Sequence, residues 1–134
     1  MPEREEGEGS VEEQLERAAA SHVALAKKAM AAGNSREAKD LLERTLRHAR
    51  SAEALYLLAQ LEMDHPSTTP QALEHLREAV AINPIFTAAW LALANYWGAR
   101  GETAKQRRCL EKIVAYDSKN HDVREALELL AERR

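Results

Sequence analysis

The chain has 134 residues, of which 45% are hydrophobic and 31% are charged, and its formal net charge is −3. This length is that of one domain, and the composition is that of a soluble globular protein with enough apolar material for a core. Aromatic residues make up only 4% of the chain, and glycine and proline are few, which favours helices over a sheet.

The charge is distributed unevenly. Residues 1–13 hold six glutamates and one arginine, a formal charge of −5, whereas the remainder holds 16 acidic and 18 basic residues. Neither part has the basic character of a nucleic-acid-binding domain. Because residues 1–9 have almost nothing to bury, we predict that they form a disordered acidic tail and that residues 10–134 form the folded domain.

Cys109 is the only cysteine, so an internal disulfide is excluded and nothing indicates an oxidising compartment. The first ten residues lack the apolar segment of a secretory signal. No run of residues approaches the roughly 20 apolar residues that cross a bilayer. We therefore expect a cytoplasmic protein without a membrane partner.

The first predicted helix begins at Ser10, which forms a capping box with Glu13, and it ends near Ala32, before Gly33 and Asn34. A second helix is predicted from about residue 35, with its apolar stripe at residues 41–49.

Four start and stop signals divide the rest of the chain. Ser51 caps a third helix, and Thr69 followed by Pro70 begins a fourth. The fifth helix runs from about residue 85 to Ala99, Gly101 marks the next turn, and the sixth helix ends near residue 116. Asn120 caps a last helix. The pattern thus predicts seven helices with short connections, which pack as sequential antiparallel pairs.

Equivalent residues recur along these helices with a period close to 34 residues. Leucines recur at a step of 34: Leu42, Leu76 and Leu110. Alanines precede them at steps of 33 and 35: Ala26, Ala59 and Ala94. A period in this range is typical of a stacked array of one helical unit, and such arrays usually present surfaces that hold other proteins.

The residues at these positions resemble the tetratricopeptide repeat (TPR), whose pattern is Trp-x2-Leu-Gly-x2-Tyr, then Ala-x3-Phe, then Pro. The third unit reads Trp90-x2-Leu93-Ala94-x2-Trp97, and the second contains Ala72-x3-Leu76. The third unit departs from the pattern at Gln106, where the family usually has alanine, and at Ser118, where proline is usual.

The resemblance implies an all-α fold: a right-handed superhelical stack of antiparallel helix pairs with about seven helices. The predicted repeats cover about residues 19–51, 52–86 and 87–120, and a capping helix follows at about 121–133.

In this family the first helix of each repeat lines a concave groove that binds partners. The resemblance places eight residues of this chain there: Val23, Lys27, Met30, Tyr56, Gln60, Met63, Leu91 and Asn95. The strip is mostly apolar, and an exposed apolar groove is typical of a partner-binding surface. The alternative is that some of these residues belong to the core, or that tail or loop residues cover them.

The groove chemistry indicates the kind of partner. Some family members grip a C-terminal carboxylate with a set of Lys, Asn and Arg, and only Lys27 and Asn95 match that set. An amphipathic helix with basic flanks therefore suits the strip better than an acidic peptide. We predict a protein-interaction module, an adaptor or small chaperone, that holds such a helix or an extended segment.

Two other functions stay open. Leu129 and Leu130 on the last helix suggest a self-associating scaffold, for instance a homodimer. Binding of RNA is less favoured, because the groove lacks polar base-reading residues and a basic surface. Trp90 and Trp97 are interpreted as core residues, with base stacking as the alternative.

The basic helix at residues 100–112 is interpreted as a solvated face, with docking of an acidic partner as the alternative. The sequence predicts no enzyme, no cofactor and no metal site, since the five histidines and Cys109 show no ligand spacing and no nucleophile–base pair is detectable.

Overall fold

The computed structural model describes residues 9–133, and within them the chain forms seven α-helices. Their bounds are α1 Val11–Ala31, α2 Ser35–His48, α3 Ala52–Glu62, α4 Thr69–Ile82, α5 Thr87–Ala99, α6 Thr103–Tyr116 and α7 His121–Glu132. A 3₁₀ turn, Pro66–Thr68, precedes α4. Apart from Gly9, the predicted acidic tail lies outside the described residues.

The helices stack in the order of the chain. Helix α1 packs on α2, α3 on α4 and α5 on α6, and each pair contacts the next through α2 with α3, α4 with α5, and α6 with α7. Such nearest-neighbour packing is how a helical repeat buries apolar faces that one pair alone leaves exposed. The all-α stack of helix pairs predicted from the period is thus confirmed.

The recurring residues of the sequence form the core. The alanines Ala26, Ala59 and Ala94 are at most 1% exposed, and the leucines Leu42, Leu76 and Leu110 at most 4%. Helix α3 is buried on two sides. Its Leu57 and Leu58 join the cluster formed with α1 and α2, while its Leu55 joins the cluster that extends to α7.

Side-chain caps fix the beginnings of three helices. The Ser10 hydroxyl accepts a hydrogen bond from the Glu13 backbone N–H at 3.0 Å, and the Glu13 carboxylate accepts one from the Ser10 N–H at 2.9 Å. Ser51 caps α3 and Asn120 caps α7 in the same manner. These caps satisfy donors that have no partner inside the helix, and they confirm the starts predicted from the sequence.

A glycine follows the end of α1 and of α5, each of which is the first helix of its pair. Gly33 and Gly101 have φ angles of 82° and 75°, a left-handed conformation that side chains disfavour. At each, paired backbone bonds close the helix, for example Glu102 N–H to Trp97 C=O at 3.0 Å and Gly101 N–H to Gly98 C=O at 3.1 Å. This is the Schellman arrangement, and it turns the chain sharply into the next helix.

The middle pair uses a longer connection between α3 and α4. The Thr68 hydroxyl donates a hydrogen bond to the Glu62 carbonyl at 2.6 Å, which holds the 3₁₀ turn against the end of α3. The carboxylate of Glu62, buried at 7% exposure, lies 2.7 Å from His75 Nδ1 on α4. The longer connection is thus held in place, and the buried Glu62 carboxylate has a partner.

Among the helices of residues 9–133, none combines the length and the apolar character that a membrane-spanning helix needs.

Candidate functional site

A concave cavity of about 700 Å³ opens between α1, α3 and α5. Its apolar lining comes from three helices and includes Met30, Leu61, Met63, Ala92, Tyr96 and Ala99. Polar and charged side chains stand beside them, namely Gln60, Asp64, Asn95 and Arg100. We call this cavity the groove. Met30, Gln60, Met63 and Asn95 were predicted from the sequence, and the structure brings these four together.

The groove has one cation held against an aromatic ring. The guanidinium carbon of Arg100 lies 4.5 Å from the centroid of the Tyr96 ring, within the range of a cation–π interaction. Asp64, at the end of α3, contributes the opposite charge to the lining. The local charges balance, so apolar contact dominates what the groove offers a ligand.

Tyr56 supports the groove from inside the stack. Its ring packs against Phe86, with ring centroids 5.2 Å apart and planes tilted by 55°. Its hydroxyl accepts a hydrogen bond of 3.1 Å from the Gln60 amide. Tyr56 is therefore half-buried, and replacing it with alanine would disturb packing as well as any binding, which makes it a poor probe of the groove.

Lys27 and Leu91 are exposed and lie outside the lining of the groove. Lys27 forms a salt bridge with Glu53, which joins α1 to α3 and neutralises the lysine charge. Leu91 on α5 is 36% exposed and can contact a partner directly.

The expectation that Val23 lies on the exposed strip is wrong. Val23 is only 4% exposed and packs in the cluster formed by α1, α2 and α3. The neighbouring α3 comes close enough to cover this position. The repeat register gives the direction of the side chain but does not show how closely the next pair approaches.

Three further lining residues on α5, Ala92, Tyr96 and Ala99, are not among the predicted groove positions. Ala92, Asn95, Tyr96 and Ala99 occur at the spacing i, i+3, i+4 and i+7, which places them on one face of α5. That spacing was visible in the sequence. Only one member of the set, Asn95, fell on a family groove position, so the wider stripe was not assigned.

Of the two leucines predicted to form an apolar surface on α7, one is exposed and one is buried. Leu129 is 54% exposed, but Leu130 is 5% exposed and belongs to the core. A longer exposed apolar stripe lies at the other end of the stack, on α1, where Val11, Leu15 and Leu25 are 72%, 39% and 50% exposed.

Other cavities lack comparable chemistry for an apolar ligand. A larger depression of about 840 Å³ is lined by residues 33–44 alone, so it is the surface of one turn and one helix. Within residues 9–133 no group of three or more His, Cys, Asp or Glu side chains is arranged to hold a metal ion.

By sequence, no family model matches the chain, and no curated protein matches it. Solved structures do. Two crystal structures of MamA superpose with TM-scores of 0.72 and 0.71 at 23% identity, each covering 85% of this chain. This chain spans 67% and 62% of those MamA chains, respectively.

A third similar structure is the first TPR of Spaghetti (RPAP3) bound to the HSP90 peptide SRMEEVD. It has a TM-score of 0.73 and 15% identity, and the match covers 87% of this chain and 95% of that one. These similarities confirm the TPR-type helical stack that was predicted from the repeat.

Proposed function

We propose that the chain is a protein-interaction module, an adaptor or small chaperone, that holds an amphipathic helix of a partner in the groove. The observation that carries this proposal is the convergence of Met30, Met63 and Tyr96 from separate helices on one open cavity of about 700 Å³. Ligand cavities in proteins typically measure about 300–1,000 Å³. Methionines suit such a surface because their flexible, polarisable side chains adapt to different apolar groups.

The polar side chains define the orientation of the bound helix. Gln60 and Asn95 can satisfy polar groups at the edge of the contact, while the apolar face of the partner enters between the methionines. Asp122 and Glu125 are exposed on α7 and offer negative charge toward the C-terminal end of the stack. Basic residues flanking the apolar face of the partner complement these two carboxylates.

The RPAP3 structure is an example of this kind of fold with a bound peptide. An acidic peptide such as SRMEEVD needs several cations, but among the described lining residues of the groove Arg100 is the one cation, and Asp64 balances its charge. Lys27 lies outside that lining and pairs with Glu53. A helix presenting apolar groups to the groove is therefore the better complement.

A synthetic helical peptide with leucines on one face and lysines at both ends tests the proposal. We expect its fluorescence anisotropy to rise when the full chain is added. Asn95→Phe fills the groove from an exposed helical position, and it should weaken binding at least about tenfold, or about 1.4 kcal/mol. Asn95→Ala is the matched control, and it leaves the cavity open and should bind within a few-fold of the wild type.

The peptide SRMEEVD serves as the acidic comparison and should bind more weakly than the basic helix. Equal binding of the basic helix by wild type and Asn95→Phe would show that the groove is not its site. Circular dichroism and thermal melting establish that each variant remains folded.

Self-association is the second candidate, favoured by the exposed stripe of Val11, Leu15 and Leu25 on α1. Two copies could bury these residues against each other. Sedimentation of the full chain across a range of concentrations measures this directly, and a single 15.0 kDa species throughout would remove the candidate.

A further inference from the structure

We propose that a cavity on the other side of α5 is a second binding site, one that takes acidic side chains of a protein partner. It measures about 310 Å³ and lies between α4, α5 and α6. Its lining residues are Arg77 of α4, Trp90 and Trp97 of α5, and Lys105, Arg108, Cys109 and Lys112 of α6. We call it the basic cavity.

Most of the charge of this cavity is uncompensated by carboxylates. Its lining in the described chain contains four cations and no carboxylate. Arg77 reaches Glu74 at 3.3 Å, a pair exposed to solvent. Within residues 9–133, Lys105, Arg108 and Lys112 form no salt bridge. Because like charges so close together on one helix face repel, a bound carboxylate would be stabilised by all of them.

The Trp97 ring holds two of these cations, Lys105 and Arg77, in position. The Lys105 ammonium lies 4.2 Å from the centroid of the Trp97 ring, and the Arg77 guanidinium carbon lies 6.0 Å from it. Trp90 is itself fixed, since its indole N–H donates a hydrogen bond of 2.8 Å to the Pro84 carbonyl. Cations that are already ordered lose less conformational entropy when an anion binds.

The arrangement favours carboxylates over nucleic acid. A nucleotide base needs an open aromatic face, but cations lie against the Trp97 ring and Tyr96 packs on it with centroids 4.9 Å apart at 81°. The formal net charge of −3 also opposes a long polyanionic backbone. One or two carboxylate side chains need only the four cations and fit the small volume.

The basic cavity is separate from the groove. No residue lines both. At about 100° per residue, Trp90 and Trp97 lie on a face of α5 nearly opposite that of Ala92 and Ala99. The two cavities are linked through Tyr96, which lines the groove and packs on Trp97, so a substitution that blocks one of them must leave both rings in place.

Both tryptophans of the chain line this cavity, so intrinsic fluorescence reports its occupancy. The probe is a short blocked peptide of alternating paired glutamates and single leucines. We expect a saturable fluorescence change on the full chain that weakens steeply with added salt. Arg108→Glu combined with Lys112→Glu should reduce the affinity at least about tenfold, because attraction becomes repulsion.

The matched control is Lys39→Glu combined with Arg44→Glu, which makes the same charge change at exposed positions of α2. The affinity of this control for the glutamate peptide should stay within a few-fold of that of the wild type. The same is expected of Asn95→Phe in the groove. Since Arg108 and Lys112 are exposed, their replacement leaves the core intact, and matching thermal melts verify this.

Three results would overturn the proposal. The first is no fluorescence change with the glutamate peptide at millimolar concentration. The second is an equal loss of affinity in the α2 control, which would mean that only the overall charge matters. The third is tighter binding of a single-stranded oligouridylate than of the peptide, which would make the cavity a nucleic-acid site.

Discussion

Cys109 shows how burial alters one side chain. The residue faces inward from α6 and is 8% exposed. Desolvation by burial raises the pKa of its thiol, and the positive charge of Arg108 opposes this only in part. Because the folded-state pKa lies above the unfolded value, the neutral thiol is favoured in the fold. Its contribution to stability is present below the ordinary thiol pKa and is lost as the pH rises through the raised one.

We therefore expect slow alkylation of Cys109 by iodoacetamide at pH 8, because the thiolate is scarce and shielded. The rate should increase sharply in urea, where the thiol recovers its ordinary pKa. Iodoacetamide is chosen because it is neutral and is not attracted by the nearby cations. Cys109→Ser should abolish labelling, since the chain has no other cysteine. Labelling of the folded protein as fast as in urea would contradict the assigned burial.

The groove also shows what single positions in a sequence reveal. Met30, Gln60, Met63 and Asn95 follow from the repeat register, because the register fixes where each side chain points. Val23 does not, since its burial depends on how closely α3 approaches α1. The register therefore predicts the direction of a side chain, whereas its burial also depends on contacts between residues that are distant in the sequence.

At the scale of helix pairs, the absence of a side chain at Gly98 on α5 explains how α6 accommodates Gln106, which departs from the repeat. Alanine is usual at this position because the helices nearly touch there. Gly98 on α5 provides the missing space. A Cβ atom added to Gly98 would lie 2.6 Å from Nε2 and 2.9 Å from Cδ of Gln106. The large residue and the small one are thus complementary.

A double-mutant cycle on these two residues tests this. In a Gln106→Ala background we expect Gly98→Ala to stabilise the protein by up to about 1 kcal/mol, the gain in helix propensity. In the wild-type background the gain should be smaller or reversed, because Gln106 must turn away. Urea unfolding measures both values, with an expected coupling of about 0.5 kcal/mol or more. Equal gains in the two backgrounds would mean that the residues do not compensate each other.

Helix boundaries could be predicted because their causes are local. The Ser10 capping box and the glycines at 33 and 101 act within a few residues of the chain. The sequence predicts that α5 begins at about residue 85, but the helix begins at Thr87. The turn closed by the Phe86 N–H and the Asn83 carbonyl, at 3.2 Å, delays the helix. A propensity pattern cannot show this, since residues 85 and 86 are themselves compatible with a helix.

At the scale of the whole molecule, the stack offers two separate surfaces made by the same helix, α5. One face contributes to the apolar groove, and the other carries the tryptophans of the basic cavity. The period predicted the order of the helices and the repeated core. The basic cavity forms where Arg77 of α4 and the cations of α6 meet the tryptophans of α5. The sequence alone shows the cations of α6 only as a charged helix face.

Photo-crosslinking tests the central claim, that the groove holds an apolar helix of a partner, most directly. The photoreactive residue p-benzoylphenylalanine replaces Leu91 beside the groove, or Glu43 on the exposed face of α2 as the control. Crosslinked segments from native cells are identified by mass spectrometry. We expect the Leu91 position to capture segments with a helical apolar face and basic flanks, and Asn95→Phe to suppress them. The same products from both positions, products unaffected by Asn95→Phe, or crosslinks only to residues 1–8 of this chain would contradict it.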